Sequence, residues 1–244
     1  MLRNKILYLI FIAVLPVVHG YGQVNQTARQ KPKIDLMVFG TISLYENDPR
    51  ISANTGPLAG YGISIRTELP ISKGIKLVTG LELISQGLKF DSYYFSNGYS
   101  VLFDKNFNYN HLIRTYEVDL PLLMRVNLTP REESAYHSFY FSAGWEIKYN
   151  LLAHSTISNS SDGSLIYDGD IDLPYENHFL GKNVGNYLVA GLGYVHTFLP
   201  LKDAVFFDFT YRYCLSRNLY TGNQNSNYLF FRNTSLSMGV GVRF

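Results

Sequence analysis

The most regular feature of the sequence is a two-residue alternation of apolar residues with small or polar ones. From 235 to 244, Ser, Ser, Gly, Gly and Arg alternate with Leu, Met, Val, Val and Phe. The same alternation runs through 116–127, 139–151 and 205–216, and a weaker form runs through 34–45, 60–69, 75–87 and 186–198. Because successive side chains of a strand point to opposite faces, these segments predict eight β-strands, each with one apolar face.

The connections between these segments alternate in length. The long ones are about 46–59, 88–111, 153–185 and 221–231, and the short ones are 70–74, 129–134 and 199–203. Outer-membrane barrels have short periplasmic turns and longer extracellular loops. With both chain ends in the periplasm, eight strands require this order. We therefore predict an all-β fold: an eight-stranded antiparallel up-and-down transmembrane β-barrel.

The N-terminus has the organisation of a secretory signal peptide. Two basic residues precede an apolar run from Ile6 to Val18. That run is too short to span a membrane as a helix, and cleavage after Gly22 satisfies the small-x-small rule. An uncleaved anchor is the alternative. We expect a signal peptide at 1–22, a periplasmic segment at 23–33 and the barrel at 34–244.

The less apolar face of the strands carries nearly balanced charges, seven acidic residues and six basic ones. We expect them to form a charge network that fills a narrow lumen, since eight strands enclose an interior just wide enough for side chains. The network consists of Asp35, Arg66, Glu68, Lys76, Glu82, Glu117, Asp119, Arg125, Glu146, Lys148, Asp208, Arg212 and Arg243.

The opposite face is nearly uncharged in its central stretches, as contact with outer-membrane lipid requires. An Arg or Lys there would cost about 2–4 kcal/mol at the bilayer midplane. A soluble lipocalin-type barrel would show the reverse arrangement, with an apolar lumen and a polar exterior. Composition agrees with the membrane interpretation: the chain has 20 Tyr and 16 Phe, and only 16% of its residues are charged. The net charge of +2 gives no basis for nucleic-acid binding.

The chain resembles the PorT-like outer-membrane β-barrel family common in Bacteroidetes, which are Gram-negative. The resemblance lies in Tyr116–Arg125 (YEVDLPLLMR), Phe139–Trp145, Gly191–Tyr194, Asp208–Tyr213 and Gly239–Phe244. It implies an integral outer-membrane barrel and a possible accessory role in envelope assembly or secretion. The C-terminal Phe244 looks like the assembly signal that the barrel-assembly machinery reads.

No motif specifies a reaction, a metal site or a cofactor. His111, His137, His154, His178 and His196 follow the signal peptide, and none lies in a nucleophile motif. Asp168, Asp170 and Asp172 could supply oxygen ligands to calcium, but Leu173 and Phe179 stand where an EF-hand loop needs Gly and Glu. The single cysteine, Cys214, cannot form an internal disulfide. We expect no catalytic residue, no cofactor and no metal.

Two long loops have the composition of recognition surfaces. Loop 88–111 is rich in Tyr, Asn, Ser and Gly, which adaptable binding surfaces favour, and loop 153–185 is the longest. Loop 88–111 could equally be a β-hairpin that extends two strands above the membrane. We expect a non-enzymatic outer-membrane anchor or interaction protein that binds a protein or glycan through these loops. The alternatives are a narrow porin-like channel and a lipid-modifying enzyme.

Overall fold

The computed structural model of the chain is an all-β molecule. It describes residues 32–47, 54–72, 74–92, 109–129, 136–171, 184–198, 203–215, 218–222 and 227–244. Within these ranges the strands are β1 (Lys33–Asn47), β2 (Asn54–Gly56), β3 (Leu58–Ser72), β4 (Ile75–Ser92), β5 (Tyr109–Asn127), β6 (His137–Asn159), β7 (Leu165–Ile171), β8 (Val184–Thr197), β9 (Ala204–Cys214), β10 (Asn218–Gly222) and β11 (Asn227–Arg243). None of the described residues belongs to a helix long and apolar enough to cross a membrane.

Eight strands form a closed wall: β1, β3, β4, β5, β6, β8, β9 and β11. The closing ladder joins β1 to β11, from Asp35 opposite Arg243 to Asn47 opposite Phe231. Past its end, the Phe244 N–H donates to the Ile34 carbonyl at 3.0 Å, and the Ile34 N–H donates back to the Phe244 carbonyl at 3.2 Å. Every pairing is antiparallel and closure leaves the wall without a free edge. The predicted eight-stranded barrel is confirmed.

Burial alternates along the wall strands and divides the barrel into a polar interior and an apolar exterior. In β9, Phe206, Asp208 and Arg212 are buried inside, while Phe207 and Phe209 between them are exposed. The exterior carries an apolar belt that includes Val38, Ile63, Leu122, Leu192, Met238 and Val242. This arrangement excludes the soluble lipocalin-type barrel, because such a barrel has a polar exterior and an apolar lumen.

The two ends of the barrel differ. At one end, called here the short-turn end, β3 connects to β4 through Gly74, whose φ of 89° is the left-handed conformation that a tight turn requires. The β8–β9 turn lies at the same end, closed by the Phe198 N–H donating to the Asp203 carbonyl at 2.9 Å. The opposite end, the long-loop end, carries β2, β7 and β10 as additions to the wall.

Strands extend farther toward the long-loop end than the alternation predicts. A membrane-spanning strand needs about 9–11 residues, whereas β4, β5 and β6 have 18, 19 and 23. The flanks of loop 88–111 therefore form the hairpin that was one of its two interpretations, and residues 93–108 lie outside the described ranges. Loop 153–185 was predicted as loop throughout, but its first part is the β6–β7 hairpin. The strands continue past the alternating segments because backbone hydrogen bonds between neighbouring strands form without any alternation of side chains.

A β-bulge in β6 changes which of its side chains face inward. Glu117 of β5 lies opposite Asn150 and Tyr116 lies opposite Leu152, so Leu151 has no partner on β5. Before the bulge the even-numbered side chains of Glu146, Lys148 and Asn150 are buried, and after it the odd-numbered ones of Ala153, Ser155 and Ile157 are. The extra residue thus turns His154 to the outside.

Candidate functional site

The lumen is the site toward which the predicted charge network converges. Twelve of the thirteen predicted residues are buried, and Lys76 is half-buried near the short-turn end. The twelve are Asp35, Arg66, Glu68, Glu82, Glu117, Asp119, Arg125, Glu146, Lys148, Asp208, Arg212 and Arg243. The alternation along each strand explains why these twelve side chains point inward. The stagger of neighbouring strands determines which of these side chains come into contact.

Arg243 and Asp35 form the layer nearest the short-turn end. The guanidinium makes a two-point contact with the carboxylate, Nε to Oδ1 and Nη2 to Oδ2, each at 2.7 Å. Arg125 contacts Asp35 at 3.2 Å, and both arginines contact Glu68. Lys76 contacts the other oxygen of Glu68 at 2.5 Å. Three cations and two carboxylates therefore share one buried cluster.

Arg66 and Arg212 hold the middle of the lumen together. The Arg66 guanidinium contacts Oε1 of Glu82 at 2.6 Å and Oδ2 of Asp208 at 2.8 Å. Arg212 contacts the other oxygen of Glu82 at 2.7 Å and Oε1 of Glu146 at 2.9 Å. Glu82 bridges the two guanidinium groups, and the layer ties β3, β4, β6 and β9 across the interior.

Glu117 organises the layer nearest the long-loop end. Its carboxylate accepts from Lys148 Nζ at 3.2 Å and from Gln86 Nε2 at 2.7 Å. Gln86 also reaches the Tyr187 hydroxyl at 2.9 Å, and Asn233 donates to the same hydroxyl at 3.1 Å. Neutral polar groups thus continue the network where the charged pairs become fewer.

Aromatic rings inside the lumen are the part of the site that the sequence pattern did not predict. Four of the cations lie over a ring, which adds attraction to the ring face and fills space beside each guanidinium or ammonium group. Measured from the arginine Cζ or lysine Nζ to the ring centroid, the pairs are Arg125 with Tyr140 at 4.0 Å, Lys148 with Tyr187 at 5.2 Å, Arg212 with Phe39 at 5.5 Å and Arg243 with Phe206 at 5.5 Å. The inward parity of these four rings along their strands was the signal that could have found them.

Asp119 differs from the other charged residues of the lumen. It is fully buried, and its carboxyl group contacts that of Glu146. Among the described residues no basic side chain forms an ion pair with it, whereas each of the other six acids of the lumen contacts at least one.

The β6–β7 hairpin at the long-loop end carries an exposed cluster around His154. Its Nδ1 contacts Asp170 Oδ1 and its Nε2 contacts Asp168 Oδ1, both at 2.8 Å. These hydrogen bonds raise the pKa of His154. The hydrogen bond to Asp170 is the larger cause, and the hydrogen bond to Asp168 is the second. The same contact, together with the Thr156 hydroxyl, lowers the pKa of Asp168. Both ring nitrogens donate when the imidazole is protonated, so the cluster closes around a cationic His154.

The remaining chemical candidates are dispersed. His111 is buried on β5, His154 lies on the hairpin, and His137 and His196 lie together at the short-turn end. His178 and Asp172 lie outside the described ranges, so the calcium hypothesis for 168–172 concerns only Asp168 and Asp170 here, and both contact His154. Within those ranges no group of three or more His, Cys, Asp or Glu side chains could hold a metal ion. Cys214 is buried in the lumen with no disulfide.

Comparison with known proteins gives a family and a set of similar folds. A family model described as outer membrane protein beta-barrel domain matches residues 24–220, more than half of the chain. Among the curated proteins none matches the sequence. Three of the similar solved structures are Ail of Yersinia pestis (13% identity, covering 88% of this chain and 100% of that one, TM-score 0.39), the Neisserial surface protein A (11%, 88% and 100%, 0.41) and OprG of Pseudomonas aeruginosa (10%, 87% and 95%, 0.46).

Proposed function

The chain belongs to the outer membrane protein beta-barrel domain family and is a protein of the outer membrane, and from this premise we propose that its barrel is a filled, non-conducting anchor that presents an interaction surface. The observation that carries the proposal is the lumen. Twelve of the thirteen charged residues predicted to fill it are buried, and Glu68 and Glu82 each bridge cations from different strands.

A filled lumen opposes the porin-like alternative. Passage of a solute requires a water-filled path, but the three largest side chains that are fully buried are Arg66, Arg125 and Arg212, which lie across the interior. Opening a path would separate buried ion pairs, and a buried charge without its partner is costly, by about 3–5 kcal/mol when one partner is removed by substitution. Three successive layers would each have to open.

Planar-bilayer recording tests the absence of conductance. We expect no steady single-channel current from purified protein in about 1 M KCl, a salt concentration that screens surface charge. The matched variant is the double substitution of Arg212 and Glu82 by Ala, which removes the central bridge and is expected to give measurable current. Steady current from the unmodified protein would overturn the filled-barrel proposal in favour of a narrow pore.

The interaction surface of this proposal is the long-loop end. β4, β5 and β6 rise past the length needed to span, and β2 and β7 widen the projecting sheet. Its hairpin is polar and accessible, with Ser161 and Asp162 exposed. We place this end outside the cell and the short-turn end in the periplasm. Loops 88–111 and 153–185 then face a protein or glycan partner, and the apolar belt faces lipid.

The proposal also concerns how the barrel is assembled and to which branch of the family it belongs. Phe244 is exposed on the outer wall at the end of the closing strand, where the barrel-assembly machinery could bind it before closure. Membership of the PorT-like branch, with an accessory part in envelope assembly or secretion, is supported by the sequence resemblance of segments such as Tyr116–Arg125. Both ring nitrogens of His154, the histidine of the β6–β7 hairpin, contact carboxylates and neither contacts a hydroxyl that it could activate, so we propose a non-enzymatic role.

A further inference from the structure

We propose that His137, His196 and Tyr194 form a binding site for a divalent transition-metal ion on the outer wall of the barrel at its short-turn end. This site goes beyond the proposed anchoring function and is independent of the lumen. It consists of two imidazole nitrogens and a phenol oxygen from two neighbouring strands, β6 and β8.

The backbone brings the two histidines together. His137 lies directly opposite His196 in the β6–β8 ladder. In the adjacent pair, the Thr197 N–H donates to the Tyr136 carbonyl at 2.8 Å. Hydrogen-bonded and non-hydrogen-bonded pairs alternate along an antiparallel ladder, so the histidine pair is non-hydrogen-bonded, the kind in which side chains are closer. The approach of the two rings is therefore built into the register.

Nδ1 of His137 contacts two other potential metal ligands at once. Nδ1 of His137 lies 3.1 Å from Nδ1 of His196 and also contacts the Tyr194 hydroxyl. A neutral imidazole has one ring nitrogen with a lone pair and one with a proton. If His137 Nδ1 is the acceptor, one lone pair must serve two donors; if it is the donor, one proton must serve two acceptors. Protons alone leave one of these contacts unsatisfied, whereas a cation bound to the two Nδ1 atoms, beside the phenol oxygen, takes the place of the shared proton.

The separation of the two nitrogens fits a shared metal ion. Zinc–imidazole bonds are about 2.0–2.1 Å long, so two ligands about 90–109° apart around the ion lie about 2.8–3.4 Å from each other. The observed 3.1 Å falls within that range.

The surroundings fix the rings and leave the ion accessible. The Phe198 ring packs edge-on against His196, with 4.7 Å between centroids, and Phe139 packs against Tyr194 at 5.2 Å. His137 is exposed and His196 is half-exposed, which leaves coordination positions for water. Imidazole suits Zn, Cu, Fe and Ni, and divalent copper binds tightest in this series. Cu²⁺ is therefore the probe expected to give the strongest signal.

Copper titration of the detergent-purified, folded barrel, carrying no polyhistidine tag, tests the site. We expect one bound Cu²⁺ per chain, with an electron paramagnetic resonance spectrum showing coupling to two imidazole nitrogens. Removing a ligand should cost at least the roughly 10–100-fold that loss of a supporting residue costs a metal site. His137→Ala and His196→Ala should each weaken binding by at least that factor, and the double variant should abolish it.

The matched control is His154→Ala, which removes a histidine at the other end and should bind copper as the unmodified protein does. Heat-modifiable gel mobility verifies that each variant is folded. Copper binding that persists in the folded double variant, or a spectrum without coupling to two nitrogens, would overturn the proposal. Loss of this site would leave the bilayer recording unchanged, so the two proposals fail separately.

Discussion

At the scale of single residues, the lumen shows how a narrow barrel can hold many charges inside its wall. Each of its arginines contacts at least one carboxylate, and Arg125, Arg212 and Arg243 also lie over aromatic rings. A buried ion pair stabilises little relative to an apolar pair of the same shape, but removing one partner is costly. The lumen residues should therefore differ sharply in their tolerance to neutralisation.

Two conservative substitutions of lumen acids should have opposite outcomes. Asp35→Asn removes the carboxylate that Arg243 contacts at two points and should lower the free energy of unfolding by about 3–5 kcal/mol. Asp119→Asn is the matched control, because its carboxyl group contacts Glu146 and forms an ion pair with no basic side chain among the described residues, and it should be neutral or stabilising. Urea unfolding in lipid vesicles, followed by tryptophan fluorescence of Trp145, measures both. Equal destabilisation by the two variants would contradict this account of the lumen.

At the scale of elements, the β6–β7 hairpin depends on a single irregularity. The unpaired Leu151 reverses the inward parity of β6, and this places His154 and Thr156 on the same outward face as Asp168 and Asp170 of β7. Without the bulge, His154 would point inward. A local change of register therefore creates a titratable cluster on the surface that we propose faces the outside.

The hairpin should be pH-dependent. The pKa of His154 is raised in the folded hairpin, so its contribution is complete below about 6.5, the ordinary histidine value, and is lost as pH rises through the folded value. The pKa of Asp168 is lowered, so its contribution is lost when pH falls through its folded value. Between these limits the cluster is closed. An NMR titration of the His154 ring measures it.

Replacing both Asp168 and Asp170 with Asn should return the pKa of His154 toward its ordinary value. Asp162→Asn is the matched control, since that carboxylate accepts from Ser164 of the same hairpin and has no contact with His154. An unchanged His154 titration in the double variant would show that the two carboxylates do not hold the imidazole.

At the scale of the whole molecule, charged and apolar side chains occupy different sides of the barrel wall, and the two ends of the barrel differ. Charges are concentrated inside the wall, apolar residues such as Val38 and Met238 lie outside it, and the projecting strands lie at one end. The wall is apolar outside, where it contacts lipid, and polar inside, where charged side chains pair with one another. The asymmetry between the ends predicts a single orientation in the membrane, because outer-membrane barrels have their short turns in the periplasm and their longer loops outside the cell.

Cysteine labelling of intact cells measures that orientation. Ser161→Cys places a thiol at the exposed turn of the β6–β7 hairpin, and Ser72→Cys places one at the exposed short-turn end. A membrane-impermeant maleimide should label position 161 in intact cells and position 72 only after the outer membrane is permeabilised. Cys214 is buried and should react at neither stage. Labelling of position 72 alone in intact cells would reverse the proposed orientation.

The eight wall strands, their order and, outside the bulge in β6, the direction of their side chains follow from the amino-acid sequence alone. A strand has a period of two whatever its partner, so the pattern of 235–244 is sufficient to place Arg243 inside and Phe244 outside, where both lie. The alternation of long and short connections sets the up-and-down topology. Lumen rings such as Tyr140 and Phe206 obey the same parity, although only the charged residues of that face were predicted to fill the lumen.

Which side chains meet is decided only by the tertiary structure. Asp35 and Arg243 are 208 residues apart and touch because the wall closes, and Arg66 reaches Asp208 across the lumen because the strands are staggered. The bulge at Leu151 and the contact between His137 and His196 likewise depend on register, which is a property of two strands together. Periodicity lies within one strand and can be read from the chain; stagger and closure arise from all eight strands at once.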